Sequence, residues 1–252
     1  MNILGVIPAR HASTRFPGKP LADLLGKSMV ERVYRQCSKS KYLTDVVVAT
    51  DHQLIYDHVI GFGGKASLTS PDHPSGTDRC YETFTQQTGR YDFVVNVQGD
   101  EPFIDPGQID LLCQSLDADT ELATLIQKIT TLEQLLAPSE AKVVLNHRRE
   151  ALYFSRSPIP FVQKVAQEDW LKHSTFYRHM GLYAYRSDIL KAITQLPVSP
   201  LERAESLEQL RWIENGYRIK TVETDAEDGM CVDTPEDLEK AREYLRRLGT
   251  PD

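Results

Sequence analysis

The sequence predicts an α/β fold, a mixed and mostly parallel sheet flanked by helices, and three observations point there. Short apolar runs at Ile3–Pro8, Val46–Thr50 and Phe93–Val97 are rich in β-branched or aromatic residues and poor in charge, as strands buried on both faces are. Between them, near 28–39, 53–61 and 76–88, apolar residues recur with helical spacing. Strand, helix, strand at this interval is the order that crossovers between parallel strands require.

Further strands are predicted at Leu122–Lys128, Val143–Leu145, Ala151–Phe154, Gly181–Tyr185 and Arg218–Val222. Ser199-Pro200-Leu201-Glu202 reads as a capping box with proline at the first helical position, and Gly216 after Asn215 ends that helix. Thr234-Pro235-Glu236-Asp237 starts a last helix that runs to about Arg247, its acidic pair complementing the helix N-terminus. Ser155–Lys172, with Pro158 and Pro160, is the least regular stretch and predicts a flap or a small inserted subdomain. No internal repeat, low-complexity tract or long linker interrupts the chain, so one domain over 1–252 is expected.

The 252 residues carry 29 Lys+Arg against 36 Asp+Glu, a formal charge of −7, with 40% hydrophobic residues. This is the composition of a globular chain, long enough to bury a core without staples. A membrane span needs about 20 consecutive apolar residues, and no run approaches that. The apolar N-terminus is too short, and lacks the basic leader, for a signal peptide. Cys37, Cys80, Cys113 and Cys231 form no CxxC pair and the seven histidines no HExxH pattern, so reduced thiols and a cytoplasmic location are expected. The charge is uneven. Residues 1–40 hold seven basic and two acidic side chains, +5 of the total −7, which leaves −12 on the rest. So acidic a body repels nucleic acid, whereas a local cationic patch suits a small anionic ligand.

Four motifs carry candidate chemistry. Pro8-Ala9-Arg10-His11-Ala12-Ser13-Thr14-Arg15-Phe16-Pro17-Gly18-Lys19-Pro20 follows the first strand, where open α/β sheets bind ligands. Its guanidinium forks, ammonium and backbone amides can wrap a triphosphate; a solvated basic loop is the competing reading. It is not a Walker A loop, because the first glycine of that pattern would fall at Leu21. Asn96-Val97-Gln98-Gly99-Asp100-Glu101-Pro102 ends another strand and offers Mg²⁺ a carboxylate, or is simply a turn before Pro102. Asp233 lies one residue outside the last helix, which Thr234 already caps, so a second metal carboxylate competes there with a dipole contact. Ser75-Gly76-Thr77-Asp78-Arg79 can read a base edge, or serve as an ordinary helix start.

Together with Ala49-Thr50-Asp51, Ala151-Leu152-Tyr153-Phe154-Ser155-Arg156, Arg178-His179-Met180-Gly181-Leu182-Tyr183-Ala184-Tyr185, Leu207-Glu208-Gln209-Leu210-Arg211 and Val232-Asp233-Thr234-Pro235-Glu236-Asp237, these segments resemble the 3-deoxy-manno-octulosonate cytidylyltransferase (CMP-KDO synthetase) family over nearly the whole chain. One departure stands out: Gly229-Met230-Cys231-Val232 is bulkier than the family's glycine-rich approach to its last aspartate. The resemblance implies a Rossmann-like nucleotidyltransferase fold, with about 151–215 as the sugar-binding and dimerisation portion, a homodimer, and Mg²⁺. It implies CMP transfer from CTP to the sugar acid KDO for lipopolysaccharide assembly in a Gram-negative bacterium. It assigns Arg10, Arg15 and Lys19 to catalysis on the triphosphate, and Ala9, Ser75, Gly76, Thr77, Arg79 and Gln98 to the nucleotide. Gln98, Arg156, His179, Tyr183, Glu208 and Gln209 would surround the sugar acid, and Asp100 and Asp233 would hold the metal.

No nucleophilic triad is evident, and in-line attack of a sugar hydroxyl on the α-phosphorus needs only positioning and charge neutralisation. A cytidylyltransferase for 8-amino-KDO or a sialic acid would use the same triphosphate loop. A non-catalytic nucleotide-binding regulator would not need Asp100 and Asp233. Asp117-Ala118-Asp119, the one DxD pattern, is expected in a loop after a helix and is discounted as a glycosyltransferase metal motif.

Overall fold

The structure, a computed structural model, describes residues 1–12, 16–226 and 229–249. The chain divides into two compact units, Met1–Cys113 with Ala226–Asp252, and Gln114–Asp225.

The first unit alternates β1 (Ile3–Ala9), α1 (Met29–Cys37), β2 (Asp45–Thr50), α2 (Gln53–Gly61), β3 (Ala66–Leu68), α3 (Gly76–Gln86), β4 (Phe93–Asn96) and α4 (Pro106–Gln114). Its strands lie in the order β3-β2-β1-β4, every pair parallel, with Val6 level with Val47 on one side and Asn96 on the other. The predicted strands and helices here hold to within a few residues; short β3 and α4 carried too little periodicity to be read. Side chains start the helices as the residue types demand. Ser28 accepts the Glu31 amide at α1, and Ser75 accepts the Asp78 amide at α3, removing orphan donors worth about 1 kcal/mol each.

The second unit holds β5 (Leu122–Lys128), α5 (Leu132–Leu136), β6 (Lys142–Leu145), β7 (Ala151–Ser155), α6 (Trp170–His173), β8 (Tyr177–Arg186), α7 (Ser187–Ile193), α8 (Pro200–Glu205), α9 (Gln209–Glu214) and β9 (Ile219–Glu223). Strand β5 pairs antiparallel with β8 and parallel with β9, while β6 pairs antiparallel with β7 and β8. Two expectations are corrected. The single helix read from Ser199 to Gly216 is broken at Ser206, which adopts φ 52°, into α8 with its capping box and α9 closed at Gly216. Strand β8 starts four residues before the predicted Gly181, because a bulge hides its period. The irregular stretch does stay irregular, with only a 3₁₀ turn and α6 between 156 and 173; Trp170 anchors it, packed with Ile129, Leu135 and Phe176.

The chain then returns to the first unit as α10 (Pro235–Leu248). Its buried stripe Leu238, Ala241, Leu245 packs with Leu24, Met29 and Val232. Fully burying a leucine contributes roughly 1.5–3 kcal/mol. This packing fixes Asp233, next to Val232, against the first unit.

Candidate active site

The site in the first unit begins where β1 ends. Beyond Ala9, the Gly18 amide donates to the His11 carbonyl at 3.1 Å and the Lys19 amide to the Phe16 carbonyl at 3.2 Å. Gly18 takes φ 71° to turn into the 3₁₀ turn Lys19–Leu21, a conformation that favours glycine. Gly99 is also constrained: a Cβ there would stand 2.5 Å from the Pro8 carbonyl oxygen. Its bare backbone lets the chain after β4 lie against the end of β1, so that Gln98 and Asp100 meet the loop.

The result is a cavity of about 340 Å³ whose walls include Ala9, Arg10, Lys19, Ser75, Gly76, Arg79, Gln98, Asp100 and Asp233. Nine of the residues singled out from sequence therefore converge. Thr77 is buried in α3 and is not among the lining residues, and Arg15 lies outside the described residues. Pro8, Ala12, Pro20, Pro74 and Gly99 also line the cavity, though the sequence assigned them no role of their own; the turn chemistry that brings them there is visible only once the strands are assembled.

Lys19 is the electrostatic centre. Its Nζ lies 2.9 Å from Asp100 Oδ2 and 3.0 Å from Asp233 Oδ1. Burial pulls its pKa down, but the two carboxylates outweigh that and hold it above its usual value, so it stays a cation. The Val232 amide donates to the Asp100 carbonyl at 2.9 Å, tying the two acidic segments together. A third donor was missed as such: Cys231 Sγ lies with one oxygen each of Asp100 and Asp233 in a group whose atoms are all within 4.8 Å. The residue is exposed overall, yet its thiol is pushed up to about 12, by desolvation first and then by the two aspartates.

On the other wall the side chains are committed to structure. Ser75 Oγ donates to Asp78 Oδ2 at 2.6 Å as well as capping α3. The Arg79 guanidinium, 1% exposed, donates to Thr69 Oγ1 and, at 3.2 Å, to Asp51 Oδ2. What this wall offers a ligand is shape and backbone, with Gly76 at the start of α3 facing Pro8.

The second unit holds the other residues matched to a sugar acid. Between Thr124 and Leu125 the β5–β8 register jumps from Tyr183 to Met180, so Gly181 and Leu182 bulge out. Residues four apart on a regular strand sit about 13 Å apart; here the rings of His179 and Tyr183 come within 5.0 Å. Thr124 Oγ1 pins the bulge, 3.1 Å from the Met180 carbonyl and 2.8 Å from that of Leu182, and it also meets His179 Nε2 at 3.0 Å. Burial drives the His179 pKa down to about 3 and that of Tyr183 well above its usual value, so both are neutral. Tyr183 Oη and Gln209 Nε2 are buried without a hydrogen-bond partner among the described residues, an expensive state unless a ligand completes it. Glu208 precedes α9. The Arg156 guanidinium donates to the carbonyls of Pro138, Glu205 and Ser206. Asp117 of the discounted DxD pattern pairs with Lys220 at 2.8 Å.

A parallel α/β unit whose first strand feeds a cationic loop, with the lysine of that loop held by two carboxylates, defines a protein of the nucleotidyltransferase class. The sequence profile of the cytidylyltransferase family matches residues 4–221. The 3-deoxy-manno-octulosonate cytidylyltransferases of Cytophaga hutchinsonii and Bacteroides thetaiotaomicron are each 53% identical to this chain, over 94% and 98% of it and 95% and 99% of their own lengths. The structure of CMP:2-keto-3-deoxy-manno-octonic acid synthetase complexed with CTP superposes with a TM-score of 0.91 at 42% identity, covering 98% of this chain and 100% of that one. The chain belongs to the 3-deoxy-manno-octulosonate cytidylyltransferase family. Among the described residues, no helix is long and apolar enough to cross a membrane.

Proposed function

We propose that the chain transfers CMP from CTP to the anomeric hydroxyl of 3-deoxy-D-manno-octulosonate, releasing pyrophosphate and yielding CMP-KDO for lipopolysaccharide assembly, in the cytoplasm and as a homodimer. The observation that carries this reading is the Lys19–Asp100–Asp233 cluster on a cavity sized for a nucleotide, in a chain half identical to proteins named for this reaction. The anomeric oxygen attacks the α-phosphorus in line, and the bond to the bridging oxygen of pyrophosphate breaks. Arg10 and Lys19 bind the triphosphate and neutralise the charge that grows on the leaving group, which Arg15 joins in the family pattern. Effects of this kind are worth 10²–10³ in rate per donor, by order of magnitude. Ala9, Ser75, Gly76 and Gln98 orient the nucleoside, with Arg79 shaping the wall and Thr77 supporting it inside α3. His179, Tyr183, Glu208 and Gln209 hold the sugar acid, and Arg156 suits its carboxylate through the donors its three carbonyl partners leave over.

The donor set fits Mg²⁺. Asp100 and Asp233 present hard carboxylate oxygens close together, the ligand type that Mg²⁺ shares with phosphate oxygens. The Cys231 sulfur is a soft donor, which a hard cation such as Mg²⁺ disfavours. When bound, the ion supplies charge neutralisation at the phosphates and lowers the pKa of an attached hydroxyl. Lys19 keeps the two carboxylates oriented.

The test is a pyrophosphate-release assay crossing CTP, UTP and dTTP with KDO, 8-amino-KDO and a sialic acid. Turnover confined to CTP with KDO is expected. Faster turnover with 8-amino-KDO or sialic acid would reassign the sugar, and silence with every pair would leave a nucleotide-binding regulator.

A further inference from the structure

The phosphate loop is held from behind by residues that do not line its cavity. At the end of β2, Asp51 Oδ1 accepts the His11 amide at 3.2 Å. Its other oxygen, Oδ2, lies 3.2 Å from the Arg79 guanidinium of α3. One carboxylate thus joins the start of the phosphate loop to the helix that walls the nucleoside side. Asp51 is 10% exposed and Arg79 1% exposed, so the pair is desolvated, and a charge left alone there would be costly. Arg10 lies close enough to Arg79 to repel it, and Asp51 is the counter-charge that Arg79 has. The next residue adds a second hold. The His52 ring stacks on that of His11, centroids 4.0 Å apart and planes 18° from parallel. His52 is itself fixed, because its Nδ1 accepts the Leu54 amide as the cap of α2. Among the described residues that line the cavity, His11, Asp51 and His52 do not appear.

We propose that the Asp51-His52 turn is a positioning clamp for nucleotide binding: it fixes the His11 backbone and balances Arg79, so that Arg10 is presented to the phosphates in the free protein. This rests on the nucleotide reading above. Preorganisation of this kind lowers the ordering cost of binding and acts on affinity rather than on the chemical step. Neither residue touches the reacting atoms, so both are positioning residues.

Three variants separate the holds. Asp51→Asn keeps an acceptor for the His11 amide and removes the charge facing Arg79; Asp51→Ala removes both. His52→Asn keeps a good helix cap and removes only the ring stack. Calorimetric titration with CTP, alongside steady-state kinetics, is expected to give a dissociation constant raised about tenfold in Asp51→Asn, more in Asp51→Ala and about threefold in His52→Asn. In each, KM for CTP rises in parallel, while kcat at saturating CTP stays within about threefold and KM for KDO is unchanged. A purely structural role would lower the melting temperature and the active fraction without raising KM, and that result overturns the clamp. Should Asp51→Ala fail to fold, wild-type CTP affinity in both Asp51→Asn and His52→Asn would overturn it equally. A wild-type chain that binds no CTP would instead overturn the nucleotide reading, which keeps the two failures distinct.

Discussion

The phosphate loop of the first unit and the bulged strand of the second prepare for ligands in opposite ways. Around the loop, two of the buried charges already have internal partners: Lys19 has Asp100 and Asp233, and Arg79 has Asp51. Around the bulge His179 and Tyr183 are neutral, and Tyr183 Oη and Gln209 Nε2 are buried without hydrogen-bond partners among the described residues. Charges can be kept in place by counter-charges that a phosphate or cation then shares. Neutral dipoles can be kept only by packing, here by Thr124 and the ring cluster with Trp212, and they gain their partner from the ligand. The first strategy favours any triphosphate and the second is selective, because a ligand lacking the matching polar group leaves the orphans buried.

The largest expected effect tests the charged half. Lys19→Ala and Asp100→Ala should each lower kcat by about 10³-fold or more, with the melting temperature moved by only a few degrees, since both groups face the cavity. Retained turnover in a folded Asp100→Ala protein would break the assignment of that carboxylate. Next comes the neutral half. Tyr183→Phe should raise KM for KDO about tenfold while leaving KM for CTP alone. It should not destabilise the protein, because it removes a buried hydroxyl whose missing partner costs about 1–3 kcal/mol; a large fall in melting temperature would mean the hydroxyl has a partner inside the protein.

A smaller effect is a pH dependence of stability that the buried imidazole of the second region should contribute. The His179 pKa falls from the ordinary 6.5 to about 3 on burial, so the unfolded chain binds the proton more readily between those values. Stability is therefore full above about pH 6.5 and is lost as pH drops toward 3, with a slope approaching about 1.4 kcal/mol per pH unit from this residue. Denaturant titrations at pH 7, 6 and 5 of the wild type and His179→Gln should show the variant less sensitive to acid. Equal slopes would mean that the imidazole is not held neutral.

Much of the charged half was legible in the sequence, because it is local. Arg10 and Lys19 are nine residues apart after a strand, and Asp100 and Asp233 each mark the end of a readable element. That the two carboxylates meet on one ammonium depends on α10 returning to pack Val232 with Leu24 and Met29, a contact across two hundred residues. The neutral half was legible only through family resemblance. His179 and Tyr183 look like residues on one face of an ordinary strand, and the bulge that brings their rings together follows from a hydroxyl on another strand, Thr124. The break between α8 and α9 was hidden for a similar reason. Ser206 at φ 52° has no local signature, and its carbonyl accepts from Arg156 fifty residues away. Asp51 was quoted in a motif without a role, since what it joins, His11 and Arg79, are neighbours only in the folded sheet.

The most direct measurement is phosphorus NMR of the purified protein with CTP, KDO and Mg²⁺. The account predicts that the three CTP resonances decay together, replaced by pyrophosphate and a single phosphodiester signal of CMP-KDO, only when both substrates are present. Formation of pyrophosphate without KDO, or of CDP and inorganic phosphate in place of pyrophosphate, would contradict it.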